Sequence, residues 1–242
     1  MEFLGEVWEY FTTAENWEGE LGMLTLLRDH VVISALATAI AAVIAFPAGL
    51  FVGHKRKGEF LIVSIANAGR AIPTFAILVF LVPFSIRLGL GIGFWPTLIA
   101  LVALAIPPLL TNSYVGIQAV DSDTIEAARG MGMTEMGILG RIEIPLAAPL
   151  IMAGVRIAAL QVVATATLAA LVGWGGLGRI IVDGFAVRRF PKIFAGALLV
   201  AGLALVVDFA LGFLARAVSP RTATATRKSG PGRAEGINAE MA

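Results

Sequence analysis

The sequence lacks cysteine, holds only two histidines, and has few charged residues. Of its 242 residues, 14% are charged and 58% are hydrophobic, and the net charge is +1. The absence of cysteine excludes a disulfide framework and any thiolate metal site. The small net charge indicates no nucleic-acid partner. A mean hydropathy of +0.87 is too high for a soluble globular protein, so we predict a membrane protein.

Further absences concern catalysis and export. No GxxxxGK[ST] stretch is present, so this chain is not expected to hold ATP in a P-loop. We find no nucleophile–base pair and no metal-ligand cluster, and we therefore predict no enzyme activity, no bound cofactor and no metal. The first 20 residues contain six glutamates and no basic residue, which excludes a secretory signal. We predict an amphipathic, extracytoplasmic segment over residues 1–28, with aromatics at a bilayer interface or in a loosely ordered cap.

Five apolar stretches are long enough to span a bilayer, for which about 20 residues are needed. The predicted spans cover residues 31–52, 60–84, 94–115, 145–172 and 194–218. Arg70 and Pro73 interrupt the second stretch, which predicts a kink or break there. The sequence thus predicts an all-α membrane protein with five transmembrane helices within residues 29–218, and a disordered basic cytoplasmic tail over 219–242.

The distribution of basic residues predicts the orientation. Lys55, Arg56 and Lys57 lie between the first two spans, and the tail is also basic. The positive-inside rule therefore puts both in the cytoplasm, with the N-terminus outside. One loop opposes this assignment, because four basic residues precede the fifth span on the predicted outer side: Arg179, Arg188, Arg189 and Lys192.

The polar block over residues 119–144 separates the third and fourth spans. Apolar residues recur in it at helical spacing, which predicts one apolar face: Ile125, Ala128, Gly132, Met136 and Leu139. We predict that Asp123 caps the helix, with Glu126 completing a capping box. Gly130 and Gly132 each weaken a helix by about 1 kcal/mol relative to alanine, so we expect a bend and then a second short helix.

This block resembles the EAA motif of ABC importer permeases. The resemblance lies in Glu126-Ala127-Ala128, in Gly132 six positions after the glutamate, and in Ile142-x-Ile144-Pro145, where the family has leucine at the position of Ile144. The run from Glu126 to Met133, together with Val172-Gly-Trp-Gly-Gly-Leu-Gly178, is similar to permeases for osmoprotectant quaternary amines such as glycine betaine, choline and carnitine. The resemblance covers roughly residues 31–217.

The resemblance implies the type I ABC importer permease fold with a cytoplasmic coupling helix. It implies ATPase subunits that bind ATP and Mg²⁺, an extracytoplasmic substrate-binding protein, a second permease copy or paralogue, and a bacterial inner membrane. In the family, Glu126 would meet a basic residue of the ATPase, whereas capping of its own helix is the alternative. A methionine-type or other small-solute importer remains open, as do a secondary carrier and an intramembrane enzyme.

Charges within the predicted spans are costly in lipid unless they are paired or face water, and we single out Arg70, Arg156 and Asp208. A pair between Arg156 and Asp208 is one arrangement, and the role can be structural or a substrate contact. Gln161 and Thr165 are candidates for the pathway wall, because they lie four residues apart on one helical face.

The remaining candidates are weaker. The glycines between Gly173 and Gly178 formally fit a dinucleotide fingerprint, but they follow a membrane span, so we predict a tight outer turn near a docking site for a binding protein. Trp95 is predicted to anchor the interface rather than to bind a cation. His30 and His54 flank the first span at opposite ends and are not expected to form a site together.

Overall fold

The computed structural model describes residues 2–218, and all of their regular structure is helical. This confirms the predicted all-α class. The α-helices are α1 (Glu2–Thr12), α2 (Met23–Lys55), α3 (Glu59–Ala71), α4 (Thr74–Arg87), α5 (Phe94–Gln118), α6 (Ser122–Gly130), α7 (Glu135–Ile138), α8 (Ile144–Thr165), α9 (Gly178–Ala186) and α10 (Phe190–Val218). Two short 3₁₀ segments (Ala14–Asn16 and Ala166–Val172) and one π-helical segment (Leu139–Glu143) join them.

Helix α5 lies at the centre of the bundle. It packs against α2 and α8, and also against α3 and α4, while α10 lies on the other side of α8 and contacts α9 and α1. Small residues on α2 allow its backbone to approach α5 closely: a Cβ added to Gly49 would lie 2.9 Å from the carbonyl oxygen of Leu110. Ala37, Ala41 and Ala45 are buried on α2 at four-residue spacing, as in other close-packed membrane helices.

Four helical stretches are long and apolar enough to cross a bilayer, and a broken pair provides a fifth. The broken pair is α3 and α4, whose axes differ by 82°. The break lies at Ile72 and Pro73, next to the predicted position. Proline cannot donate a backbone hydrogen bond, and the residue before it is driven into extended backbone, as in Ile72 with ψ of 121°.

Several helices extend beyond the ends of the predicted spans. Helix α2 begins at Met23, eight residues before the predicted start at Val31, because Arg28 and Asp29 are tolerated in its first turns. The fourth predicted span is α8 up to Thr165 and a 3₁₀ segment from Ala166 to Val172. Hydropathy does not distinguish the two geometries, since both present apolar side chains.

The N-terminal segment is a helix, not a loosely ordered cap. The ring of Phe3 contacts that of Phe194 on α10, with centroids 5.6 Å apart. Tyr10, Phe11 and Trp17 pack against the buried cluster at the start of α2, whereas Trp8 is 71% exposed. A place for these aromatics at a bilayer interface stays a prediction. The predicted tail over residues 219–242 lies outside the described residues.

Candidate functional site

The block between α5 and α8 begins with a capped helix. The side-chain Oδ1 of Asp121 accepts a hydrogen bond from the backbone N–H of Asp123 at 2.7 Å. The predicted capping box of Asp123 with Glu126 is therefore wrong, because Ser122 is already helical and Asp123 lies inside the first turn. A second cap starts α7, where Oγ1 of Thr134 accepts from the N–H of Gly137 at 3.2 Å.

A sharp turn joins α6 to α7. Gly132 has φ of +82°, a conformation that costs glycine little and other residues considerably more. The N–H of Met133 donates to the carbonyl of Ala128 at 3.1 Å and closes the end of α6. Gly130 stays within α6, so the bend predicted at the two glycines falls at Gly132 alone.

The turn changes which apolar residues are buried. Four buried residues form a small core within the block and the end of α5: Val120, Ile125, Ala128 and Ile138. Of the predicted stripe, Met136 is 75% exposed and Gly132 is exposed. The predicted stripe is therefore wrong at Gly132 and Met136, while Leu139 is half-buried, because helical periodicity does not continue through a residue with positive φ.

The opposite side of the block is exposed, and we call it the outer face: Glu126, Ala127, Met131 and Met136. Met131 is 76% exposed, so the exposed residues of the block include two flexible methionines, a small alanine and a carboxylate. Glu126 forms no ion pair with any described side chain. It lines a cavity of about 300 Å³ together with the basic residues at the end of α2 and with Arg129.

Four ionisable side chains form a continuous chain of contacts between the block and the end of α2. Arg129 binds the carboxylate of Glu135 through Nε and Nη2 at 2.8 and 3.0 Å, and this contact raises the pKa of the guanidinium. The same carboxylate lies 3.1 Å from Nε2 of His54, whose Nδ1 lies 2.5 Å from Glu143. Glu143 is only 2% exposed. Sequence reasoning missed His54 and Glu143 because they are 89 residues apart.

The end of the block leads directly into α8. Ile142 packs against the small core, and Glu143 is the last residue of the π-helical segment. Ile144 begins α8 and its N–H donates to the carbonyl of Leu139, so the helical backbone continues from the π-helical segment into α8, with Pro145 in the first turn. The residues of the EAA resemblance thus lie on one continuous surface element and its junction with α8.

The intramembrane charges are partly brought together. Arg156 on α8 and Asp208 on α10 form a two-point ion pair, with Nη2 and Oδ2 at 2.6 Å. Arg70 is exposed in the last turn of α3, beside the break, and forms no ion pair with a described residue. Gln161 is exposed on α8, and Thr165, its last residue, is half-buried.

His30 lies at the end of the bundle opposite the block between α5 and α8, and its side chain connects three segments of the chain. Its ring is fully buried: Nε2 donates to the carbonyl of Val163 at 2.9 Å, and Nδ1 accepts from the N–H of Leu177 at 3.2 Å. Gly176 in the glycine-rich turn has φ of +82° and packs against this ring. His30 and His54 lie at opposite ends of α2. Trp95 is 42% exposed and contacts Phe94 edge-on.

Known proteins resemble this chain over most of its length. The carnitine transport permease OpuCB of Listeria monocytogenes is 38% identical over 208 residues, which is 86% of this chain and 93% of that protein. The choline transport system permease OpuBB of Bacillus subtilis is 36% identical over 79% of this chain and 86% of its own length. The osmoprotectant import permease OsmY of Salmonella typhimurium is 31% identical over 84% and 85%.

A solved structure has the same fold. An inward-facing form of the MetNI methionine ABC transporter matches with a TM-score of 0.71 and 25% identity, over 79% of this chain and 93% of the matched chain. Residues 43–223 also match a family of inner-membrane transport components. On these grounds the chain belongs to the family described as the binding-protein-dependent transport system inner membrane component.

Proposed function

We propose that this chain forms the translocation pathway of an ABC importer for a small osmoprotectant such as glycine betaine, choline or carnitine. The observation that carries the solute class is the likeness to relatives named for these compounds, which extends over most of both chains. The geometry supports the importer mechanism, because the block between α5 and α8 has a packed inner side and an exposed outer face.

The outer face is proposed to dock on a separate ATPase subunit. Glu126 would pair with a basic residue there, Ala127 allows close approach, and the two exposed methionines adapt to a groove. Ala128, Gly132, Ile142, Ile144 and Pro145 hold the shape of the block and its connection to α8. Docking can drive transport only if the contact differs in free energy between inward- and outward-open states.

The partners follow from this mechanism. ATP and Mg²⁺ would bind on the ATPase subunits and not on this chain, and a second permease, identical or paralogous, would complete the pathway. A substrate-binding protein would deliver the solute at the end of the bundle that carries the turn around Gly176. The outer face of the block would then lie in the cytoplasm, and α1 would lie outside a bacterial inner membrane.

Among the polar groups in the bundle, Arg156 and Asp208 are proposed to stabilise the packing of α8 on α10, because their ion pair satisfies both charges. Arg70 is a better candidate for the pathway, since it lies exposed beside the break between α3 and α4. Gln161 and Thr165 remain candidates for the pathway wall.

A methionine-type importer is the second candidate. It is supported by the likeness to the MetNI methionine transporter, which matches in fold and has 25% sequence identity. The relatives named for osmoprotectants are more similar in sequence, at 31–38% identity, so they favour the first candidate.

The test is uptake by the reconstituted complex. The chain is co-expressed with its ATPase subunit and binding protein, placed in liposomes with ATP inside, and supplied with labelled betaine, choline, carnitine or methionine. We expect ATP-dependent uptake of at least one quaternary amine and none of methionine. Uptake of methionine alone would favour the second candidate, and uptake that follows an ion gradient without ATP would contradict both.

A further inference from the structure

The block between α5 and α8 is here called the coupling block. His54 contacts two carboxylates that belong to different parts of it. It lies in the last turn of α2. Its Nε2 is 3.1 Å from Glu135 at the start of α7, and its Nδ1 is 2.5 Å from Glu143 immediately before α8. A single side chain of the first span therefore touches both ends of the segment that leads from α7 into α8.

Basic and acidic side chains alternate along this contact. The contact of Nδ1 with Glu143 has the geometry of a hydrogen bond, and the contact of Nε2 with Glu135 lies within ion-pair distance. The Glu143 side chain is 3% exposed and that of His54 is 4% exposed, and a buried carboxylate needs a paired donor. Arg129 binds both oxygens of the same Glu135 carboxylate. The geometry is that of an imidazole ring held between two carboxyl groups.

We propose that His54 is a positioning residue for energy coupling: it fixes the end of α2 to the coupling block, so that displacement of the block by the ATPase also displaces α2. Helix α2 packs along α5, the central helix, so its movement would reach the core of the bundle. The proposal rests on the proposed function. It adds a connection through a side chain to the two covalent connections, from α5 into α6 and from Glu143 into α8.

The alternative is a purely structural role, in which the contact stabilises the folded chain and nothing more. The two roles differ in one measurable quantity, the number of ATP molecules hydrolysed per solute transported. A loss of stability lowers the amount of active complex, so ATP hydrolysis and transport fall together and their ratio stays constant. A loss of transmitted displacement lowers transport while the ATPase continues to turn over, so the ratio rises.

The experiment measures this ratio in proteoliposomes for His54→Gln and Glu135→Gln. Glu135→Gln removes the half-exposed side of the contact and leaves the buried pair of His54 with Glu143, so it is expected to fold even if His54→Gln does not. We expect the ratio to rise about tenfold, the usual size of coupling between sites. Lys57→Gln and Asp123→Asn are matched controls, because both lie exposed in the same regions and make none of these contacts.

Two results would overturn the inference. One is an unchanged ratio in Glu135→Gln, and the other is an equal rise in the two controls. Failure of the proposed function gives a different result, since the wild-type complex would then show no ATP-dependent uptake at all. Normal wild-type uptake with an unchanged ratio in the variants would reject only the role of His54.

Discussion

At the scale of single residues, two glutamates of the coupling block differ in what surrounds them. Glu126 is exposed and forms no ion pair with a described residue, whereas Glu143 is 2% exposed and paired with His54. Burial thus assigns Glu143 to the internal structure of the block. Exposure leaves the Glu126 carboxylate available to pair with another subunit. Glu126 is not needed as a cap, because Asp121 already caps α6.

The first prediction concerns this free carboxylate. Glu126→Gln keeps the size of the side chain and removes its charge, so we expect transport to fall by about tenfold, as when one partner of an interfacial charge pair is removed. Uptake and ATP hydrolysis in proteoliposomes measure the effect. Normal coupling in Glu126→Gln would contradict an ion pair with the ATPase, while Glu18→Gln, an exposed acid in the N-terminal segment, is the control.

The second prediction concerns the helix cap. Asp121→Ala removes the acceptor for the N–H of Asp123 and should destabilise α6 by about 1 kcal/mol. Hydrogen exchange of residues 122–130 should accordingly be faster by about fivefold. Asp123→Ala should change exchange much less, and the opposite order of the two variants would restore the capping box with Glu126.

At the scale of helices, α10 is held mainly along one side. It contacts α8, α9 and α1, but Phe209 and Phe213 are 74% and 76% exposed. In a bilayer such surface faces lipid or another subunit. The ion pair between Arg156 and Asp208 joins α10 to α8 within this apolar surrounding. An unpaired charge would be costly there.

The third prediction uses this pair. Arg156→Ala or Asp208→Ala should each lower the yield of folded protein in detergent, because each leaves one charge without its partner. The exchange Arg156→Asp with Asp208→Arg should recover most of that yield, since it restores the attraction. Thermal unfolding monitored by size-exclusion chromatography measures the effect. Equal losses in the exchange variant and the single variants would argue against pairing in the membrane.

At the scale of the whole molecule, the ends of the bundle differ. His54, Arg56 and the coupling block lie at one end, and the glycine-rich turn and α1 lie at the other. The basic residues that oppose the predicted orientation lie at this second end. Arg179 forms an ion pair with Asp183 there at 2.8 Å, and α1 with its glutamates packs nearby, which offsets part of the positive charge.

The fourth prediction tests the orientation. The chain has no cysteine, so single cysteines can be labelled without background. Met131→Cys on the outer face of the block should react with an impermeant maleimide only from the cytoplasmic side, and Leu88→Cys after α4 only from the outside. Both positions are more than 70% exposed. Labelling of Met131→Cys in intact cells would reverse the orientation and exclude docking of a cytoplasmic ATPase.

The sequence by itself determined the all-α class, the apolar spans and the position of the coupling block. Each depends on local properties: hydropathy over a span, proline at the break near Pro73, and the spacing of Glu126, Gly132 and Pro145. Local patterns also explain what the sequence predicts wrongly: helical spacing extends the apolar stripe through Gly132, and the predicted cap, Asp123, lies two residues after the actual cap, Asp121.

Only the tertiary structure decided which distant groups meet. His54 and Glu143 are 89 residues apart, and Arg156 and Asp208 are 52 residues apart, so periodicity within one helix cannot relate them. Their contacts depend on how α2, α8 and α10 pack around α5. Packing also separated the buried Ile138 from the exposed Met136, because side chains on one short helix differ in burial only once its neighbours are in place.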